Sequence, residues 1–126
     1  MKKWSRYWKS STNRRKQRKY RIHAPNHVRQ KMISAHLSKE LRTQYKKRSL
    51  SLRKGDEIKV MAGTHKGKSG KISKINLKKM TVYVENIKAK KVSGQEINAP
   101  IDHSNLMVTK LNLDDSRRMK FVERKK

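Results

Sequence analysis

Positive charge dominates this sequence and is concentrated toward its N-terminus. Of the 126 residues, 36 are Lys or Arg and 9 are Asp or Glu, which gives a formal charge of +27. Residues 1–54 alone hold 19 of the basic residues and one acid, Glu40. A compact chain with this much like charge repels itself, whereas a polyanion neutralises the charge and releases condensed counterions. The charge therefore predicts a polyanionic partner.

Apolar residues are too few for a large core. They make up 33% of the chain, compared with roughly 45–50% in a typical globular domain. Because the N-terminal part has few apolar residues and cannot build a core alone, we expect residues 1–50 to form a basic extension that an external surface must order. The first half of this extension is expected to be extended chain.

Two short helices are expected inside this extension. Pro25 suits a first helical position, and we expect a helix over residues 26–33. Ser38 can cap a second helix through its hydroxyl. The apolar side chains of this second helix share one stripe that is expected to pack onto the folded domain: Leu37, Leu41 and Tyr45.

The hydrophobic period changes from helical to strand-like after residue 51. Apolar and polar residues alternate around Ile58, Val82 and Val108, as in half-buried strands. Between residues 71 and 77 the spacing of apolar residues is three and then two, which predicts a strand that bends through a bulge. Short, bent strands joined by glycine-rich turns are typical of a small barrel. We therefore predict a mainly β fold with a small barrel over residues 51–111.

A basic C-terminal tail is expected over residues 112–126. Asp114 or Asp115 can cap a closing helix in this tail. The helix would carry Met119 and Val122 on one side and end in the basic run that closes the sequence.

Several kinds of site have no support in this composition. Cysteine is absent, which excludes disulfides, zinc fingers and thiol catalysis. The five histidines are scattered, and the acid pairs at residues 56–57 and 114–115 have no basic or nucleophilic companion arranged for catalysis. Apolar runs are three or four residues long, whereas a membrane helix needs about 20. We expect no enzyme activity, cofactor, metal ion, small-molecule substrate or membrane partner.

The most distinctive local feature is a glycine-rich loop, GTHKGKSG, at residues 63–70. The nucleotidase phosphate loop has the pattern G-x-x-x-x-G-K-[ST]. This loop has one residue too few between its first two glycines, and a strand pattern follows it instead of a helix, so nucleotide binding is not expected. The loop is either an ordinary hairpin turn with solvated lysines or a turn whose backbone and lysines contact phosphate. The overall charge favours RNA contact.

Aromatic side chains lie close to the longest basic run, RRKQRK at residues 14–19. Trp4, Tyr7, Trp8 and Tyr20 are candidate stacking faces for nucleobases, because every base offers a flat π-face to an aromatic ring. Arginine suits the same surface, since its planar guanidinium binds phosphate through two hydrogen bonds and stacks on bases. The run and the aromatic residues together predict an arm that binds RNA.

Three segments in the middle of the chain resemble a KOW motif: GDEIKV at residues 55–60, the loop at residues 63–70, and VYVE at residues 82–85. This motif builds part of an SH3-like barrel in ribosomal and transcription-elongation proteins. Asn86 stands where the family usually has glycine after the Val-Glu pair. Asparagine tolerates a left-handed backbone, so the turn is expected to be preserved.

Flanking segments narrow the resemblance to one ribosomal family. The chain resembles the KOW-containing protein of the large ribosomal subunit that is number twenty-four in universal naming and number twenty-six in eukaryotic naming. Its C-terminal tail is similar to the eukaryotic branch of that family. The segments that carry the resemblance are SSTNRRKQRK at residues 10–19, APNHVR at 24–29, LSKELR at 37–42, RSL at 48–50 and PIDHSNLMVT at 100–109.

The resemblance implies a structural constituent of the large ribosomal subunit with an SH3-like barrel. It implies contacts with large-subunit ribosomal RNA and with neighbouring ribosomal proteins, a role early in subunit assembly, and a position near the peptide exit tunnel. It also implies a protein of the cytoplasmic ribosome, with nuclear or nucleolar assembly in a eukaryote, that does not form a homo-oligomer.

The predicted RNA-binding residues are basic side chains and loop glycines from all three parts of the chain. The basic side chains would replace counterions along the phosphate backbone, while the folded shape of the RNA carries most of the selectivity. These residues are Arg14, Arg15, Lys16, Arg18, Lys19, Arg21, His27, Arg29, Lys31, Arg48, Arg53, Lys54, Lys59, Gly63, His65, Lys66, Gly67, Lys68, Gly70, Lys71, Lys90, Lys91, Arg117 and Arg118.

Two alternative functions remain open. A KOW module of a transcription elongation factor, bound to polymerase, would share the barrel, but the match in the N-terminal arm favours the ribosomal family. A mitochondrial precursor would explain why residues 1–39 are rich in Arg and Ser and contain no acid, although cleavage would remove residues that match the family.

Overall fold

The computed structural model describes residues 3–124, so residues 1 and 2 and the last two residues of the predicted C-terminal basic run lie outside it. The described chain consists of a helical arm (residues 3–32), a mixed β-sheet and a C-terminal helix. The helices are α1 (Arg14–His23), α2 (Asn26–Met32), α3 (Lys39–Tyr45), α4 (Ser116–Glu123) and two 3₁₀ helices, Arg6–Ser10 and His103–Asn105. The strands are β1 (Ser34–Leu37), β2 (Ser49–Ser51), β3 (Glu57–Val60), β4 (Ser69–Asn76), β5 (Thr81–Val84), β6 (Lys88–Lys90), β7 (Glu96–Asn98), β8 (Ile101–Asp102) and β9 (Leu106–Lys110).

Seven strands form one mixed sheet in the order β2-β1-β9-β3-β4-β5-β8, while β6 and β7 form a separate hairpin. Among the neighbours in the sheet, β1 and β9 run parallel and the other pairs are antiparallel. The predicted alternation places Ile58 of β3 opposite Val108 of β9, and both side chains are fully buried. The mixed sheet confirms the predicted mainly β fold only in part, because the helices hold at least as many residues as the strands.

One apolar core lies against this sheet, and all seven strands contribute to it. Ala35 and Leu37 of β1 and Leu50 of β2 are among its buried members. The expectation that an external surface must order the first 50 residues is therefore wrong for β1 and β2, because β1 is paired between β2 and β9. The predicted division of the chain at residue 50 falls within β2.

The first half of the arm is helical, and the prediction of extended chain is wrong there. Asn13 caps α1, since its side-chain oxygen accepts hydrogen bonds from the backbone N–H groups of Arg15 at 2.9 Å and Lys16 at 3.4 Å. Arginine, lysine and glutamine are strong helix formers. The Asn13 cap and the helix propensity of these residues both act locally, and together they outweigh the repulsion between the like charges of α1. Even so, α1 contains no buried residue.

Both short helices predicted inside the extension are confirmed. The first, α2, follows Pro25 directly. Ser38 caps α3, because its hydroxyl accepts a hydrogen bond from the N–H of Leu41 at 3.4 Å. Leu41 and Tyr45 pack partly buried against the core, while Leu37 belongs to β1 and not to the helical stripe.

Two predicted irregularities of the sheet are also confirmed. The pairing of β4 with β5 shifts register between Ile72 and Lys74, as the apolar spacing indicated. Asn86 has φ of 66°, the left-handed conformation expected for the turn after β5. That turn leads into the β6–β7 hairpin, which the sequence pattern did not predict.

The closing helix α4 begins as predicted, with Asp115 as its cap. The Asp115 carboxylate accepts a hydrogen bond from the N–H of Arg117 at 2.9 Å. Val122 is buried as expected, but Met119 is 40% exposed. The other buried residue of α4 is Arg118, which lies four residues before Val122 and hence on the same helical face.

Candidate nucleic-acid interface

Basic side chains cover most of the surface of the helix α1. Successive residues of an α-helix turn by 100°, so the six predicted contacts on α1 spread over roughly 220° of its circumference, and the sector around Gln17 and Tyr20 holds none of them. Within the described chain, none of them lies at ion-pair distance from a carboxylate. The helix therefore carries uncompensated positive charge that can face more than one phosphate backbone at once. The six residues are Arg14, Arg15, Lys16, Arg18, Lys19 and Arg21.

Two of the four aromatic residues in the arm stack on each other. The ring centroids of Trp4 and Tyr20 are 5.5 Å apart with 26° between the ring planes. The indole N–H of Trp4 also donates a hydrogen bond to the carbonyl oxygen of Tyr20 at 3.1 Å. Tyr7 is 70% exposed, with the Arg6 guanidinium 5.1 Å from its ring centroid, so it offers an open stacking face. Trp8 is half-buried.

The glycine-rich loop connects β3 to β4 and is first of all a tight turn. Gly63 and Gly67 have φ of +91° and +88°, a backbone region that other residues rarely adopt. The N–H groups of Lys66, Gly67 and Lys68 donate to carbonyl oxygens within the loop or at its base, at 2.9 to 3.2 Å. These three amides are already used, which leaves the exposed lysine side chains and the other loop amides as the groups that can meet phosphate. His65, also predicted as a contact, is half-buried.

Gly70 has a packing role that the sequence did not reveal. It lies in β4 opposite Ile58, and a Cβ atom at this position would come within 2.9 Å of the carbonyl oxygen of Glu85. The same atom would come within 2.9 Å of a methyl group of Val84. The glycine therefore allows β4 and the end of β5 to approach closely, and the prediction that it lets RNA approach does not fit this position.

Six of the remaining predicted contacts lie on or beside the strands. Lys54 and Lys59 are exposed, just before β3 and within it. Lys71 of β4 is exposed and lies across from Glu57, with its ammonium nitrogen 4.0 Å from the carboxylate oxygen. Arg48 is exposed immediately before β2. The other two, Lys90 and Lys91, are exposed at the end of β6, in the separate hairpin.

Arg29 connects the two helices of the arm. Its guanidinium donates a hydrogen bond to the carbonyl oxygen of Ile22 at the end of α1. This predicted contact residue is half-buried, and its Nε atom is buried without a hydrogen-bond partner in the described structure. Part of its side chain is therefore engaged in holding α1 and α2 together.

Arg118 is not available to RNA, so its prediction as a contact is wrong. Its guanidinium is 5% exposed and forms two hydrogen bonds with the fully buried carboxylate of Asp56, at 2.5 and 2.7 Å. It also donates to the carbonyl oxygens of Asn112 at 2.8 Å and Ser51 at 3.3 Å. Asp56 in turn accepts from the N–H groups of Arg53 and Asn112. This paired cluster fastens α4 to the ends of β2 and β3.

Arg53 is only partly available, because it pairs with the helix cap Asp115. The hydrogen bond from the Arg53 side chain, followed by the one from the N–H of Arg117, lowers the pKa of Asp115 below its ordinary value of 3.8. The carboxylate is therefore charged at neutral pH, and it holds Arg53 beside the first turn of α4.

The fold gathers several predicted contacts from distant parts of the sequence around one cavity. A cavity of about 380 Å³ opens between α2, β2 and α4. His27 and Lys31 reach it from α2, and Arg53 and Arg117 reach it from the neighbourhood of α4. Phe121 of α4 lines the same cavity and is 59% exposed.

Sequence reasoning missed two residues of this region, Asp56 and Phe121. Asp56 gave no local signal, since its partner Arg118 is 62 residues away. Phe121 had a signal that was overlooked: it is the one phenylalanine of the chain, and it lies one residue before the buried Val122, off the apolar face of α4. Residues 3–124 contain no cluster of three or more His, Cys, Asp or Glu placed to hold a metal ion. No helix in that range is long and apolar enough to cross a membrane.

Comparison with known proteins matches the chain to a family. The family of ribosomal proteins described as L26 in eukaryotes and as L24 in archaea matches residues 11–125. The "Large ribosomal subunit protein uL24" of Methanothrix thermoacetophila is 46% identical over 110 residues, which cover 87% of this chain and 95% of that protein. Proteins of the same name from Methanospirillum hungatei and Methanosarcina barkeri are each 44% identical, over 86% and 87% of this chain and 90% and 95% of their own lengths.

Proposed function

The chain belongs to the family of ribosomal proteins L26 of eukaryotes and L24 of archaea, and from that premise we propose that it is a structural constituent of the large ribosomal subunit that binds ribosomal RNA. The three relatives described above are archaeal. The expected assignment to the eukaryotic branch is therefore not borne out, and nuclear or nucleolar assembly is not proposed.

The observation that carries RNA binding is the uncompensated charge of α1. The helix buries no residue and carries six basic side chains without a carboxylate at ion-pair distance in the described chain. A helix of ten residues gains little stability of its own in water. Phosphate groups on both sides would neutralise it and release counterions, which supplies the missing free energy.

The sheet would add a second contact surface. Lys66 and Lys68 extend from the β3–β4 turn, and Lys59 is exposed on β3. The seven-stranded sheet is proposed to curl into an SH3-like barrel, and the protein is proposed to join the subunit early and to lie near the peptide exit tunnel, as the family resemblance implies. Density for this chain in an intact large subunit would test both the barrel and its place.

The salt dependence of RNA affinity tests the role of the arm. Affinity for a ribosomal RNA fragment should fall with salt, with the logarithmic slope steeper by roughly 0.7 to 0.9 for each phosphate contact. Replacing Arg14, Arg15 and Arg18 with glutamine keeps the helix propensity and removes three contacts. The slope should then flatten by roughly 2 to 3. Deleting residues 1–22 should flatten it further.

A control variant with the same net charge separates contacts from overall charge. Replacing Lys78, Lys79 and Lys110 with glutamine removes three exposed charges outside the predicted interface and should change the slope by less than one unit. An equal effect of both triple variants would contradict a contact role for the arm. Sedimentation of the tagged protein with RNA polymerase, and its absence from large ribosomal subunits, would favour the elongation-factor alternative.

A further inference from the structure

The cavity between α2, β2 and α4 is lined by apolar as well as basic side chains, whereas a contact with phosphate alone requires only basic or polar ones. Its volume of about 380 Å³ lies within the range of about 300–1,000 Å³ that is usual for small-ligand pockets. Leu50, which is 5% exposed, and Phe121 give it an apolar lining, and basic side chains complete its wall. No carboxylate of the described chain lines it.

Phe121 is the most unusual member of this cavity. A phenylalanine that is 59% exposed on a chain with few apolar residues leaves a large apolar surface in water. The ammonium of Lys47 lies over the ring, 4.5 Å from its centroid, and also donates a hydrogen bond to the carbonyl oxygen of Phe121. Lys47 does not line the cavity, whereas Phe121 does and is 59% exposed, so part of the ring surface is left for a flat partner.

The basic residues around the cavity divide into paired and unpaired groups. Arg53 and Arg118 are paired with Asp115 and Asp56. Lys31 and Arg117 are exposed, and neither lies within ion-pair distance of a carboxylate in the described residues. The paired arginines therefore hold the wall in place, while the unpaired cations are free to meet an anion.

We propose that this cavity receives one unstacked nucleotide of single-stranded RNA. The base would stack on the exposed part of the Phe121 ring, above the apolar floor at Leu50. Lys31 and Arg117 would bind the phosphate groups on either side, and the amide of Gln30, which also lines the cavity, would reach the edge of the base. Stacking on an aromatic ring accepts every base, so the stacking by itself would select unpaired nucleotides without reading sequence.

An acidic peptide fits the cavity less well. Carboxylates would satisfy Lys31 and Arg117 but would leave the ring of Phe121 and the apolar floor without a matching partner. A nucleotide satisfies the cations and the ring together. This inference rests on the proposed RNA-binding function and adds a defined site to it.

Nuclear magnetic resonance titration of the full chain tests the site directly. Adenosine 5′-monophosphate should shift the ring resonances of Phe121 and the amide resonance of Gln30. Ribose 5-phosphate, which has no base, should bind more weakly and should affect mainly Lys31 and Arg117. The adenosine octanucleotide should bind the same site more tightly than the mononucleotide, because it brings a second phosphate.

Matched variants separate stacking from charge. Phe121→Leu keeps an apolar side chain but removes the ring. It should lower the affinity for the mononucleotide by roughly fivefold or more, which is the loss expected for one stacked base. The affinity for ribose 5-phosphate should not change. Phe121→Tyr keeps the ring and should bind as the parent does. Lys31→Gln should weaken both ligands, whereas Lys39→Gln, an exposed lysine on α3, should weaken neither. Because Phe121 and Lys31 are exposed, all four variants should fold, as thermal unfolding will show.

Three results would overturn the nucleotide site. Equal affinity for the mononucleotide and ribose 5-phosphate would show that the cavity binds phosphate and not the base. Mononucleotide affinity equal to that of the octanucleotide would assign it to free nucleotides. Displacement of the octanucleotide from Phe121 by an oligoglutamate peptide at equal concentration would assign it to acidic peptides. The salt dependence with ribosomal RNA measures the arm separately, so a failed cavity leaves the proposed function intact.

Discussion

The arm and the sheet of this protein are stabilised in different ways. The sheet, α4 and the segments that connect them bury sixteen apolar side chains in one core, and seven strands share the hydrogen bonding. The helix α1 buries none and is held by the Asn13 cap and the stacked pair of Trp4 and Tyr20. Burial of apolar surface is the main driving force of folding. We therefore expect the sheet to be stable without RNA, while the arm depends on local interactions and on its anionic partner.

Like charges within α1 add to this difference. Arg14 and Arg18, and Arg15 and Lys19, are four residues apart and thus neighbours on the helix surface. Each such pair destabilises a helix by about 0.2–0.5 kcal/mol. The same charges that favour RNA binding thus oppose the free helix.

Amide hydrogen exchange should show the largest contrast between the two regions. Exchange at Ile58 and Val108 should require opening of the whole sheet, and should be about a thousandfold slower or more than at Arg18 in α1. Addition of a ribosomal RNA fragment should slow exchange in α1, which the free protein leaves with little protection. Equal protection of α1 and β3 in the free protein would contradict the comparison.

A pair of arginine substitutions should show the next largest contrast. Arg118→Met leaves the carboxylate of Asp56 buried without its charged partner, which should reduce the free energy of unfolding by about 3–5 kcal/mol. Arg18→Met removes an exposed charge from α1 and should change the free energy of unfolding by no more than about 0.5 kcal/mol. Urea unfolding of the full chain measures both. A loss of less than about 1 kcal/mol for Arg118→Met would mean that the buried pair does not hold α4 to the sheet.

The smallest expected effect is a difference in stability between substitutions at two neighbouring positions of β4. Gly70→Ala would place a methyl group 2.9 Å from the Glu85 carbonyl oxygen, and should destabilise the protein by about 1–3 kcal/mol. Ser69→Ala introduces the same residue at the exposed neighbouring position of β4 and should change stability by about 0.5 kcal/mol or less. Thermal unfolding of the two variants makes the comparison. If Gly70→Ala is as stable as Ser69→Ala, the close approach of β4 to β5 is not required.

Features that depend on nearby residues were predicted well. Ser38 and Asp115 cap helices because a side-chain oxygen reaches an N–H two or three residues ahead, and both caps are present. The bulge in β4 and the left-handed Asn86 follow from spacing and residue type in the same way. The first half of the arm is the exception. Its charge predicted extended chain, whereas the Asn13 cap stabilises a helix there.

Features that join distant residues were not predicted. The parallel pairing of β1 with β9 aligns His36 with Met107, and no periodicity in either segment indicates it. Gly70 looked like a site of approach for RNA because glycine-rich loops often are, but its neighbour is β5. Arg117 and Arg118 are adjacent and identical in sequence, yet one is exposed and the other is buried against Asp56.

The sequence by itself determined the excess of positive charge, its concentration in the first 54 residues, the caps of α3 and α4, the bulge in β4, and the family. These properties follow from composition and from interactions over a few residues. The tertiary structure decided which cations remain free, why Gly70 must lack a side chain, and where Phe121 meets Lys31 at a cavity. Those outcomes depend on side chains that only the folded chain brings together, because a charge is available to RNA only when no distant carboxylate has neutralised it.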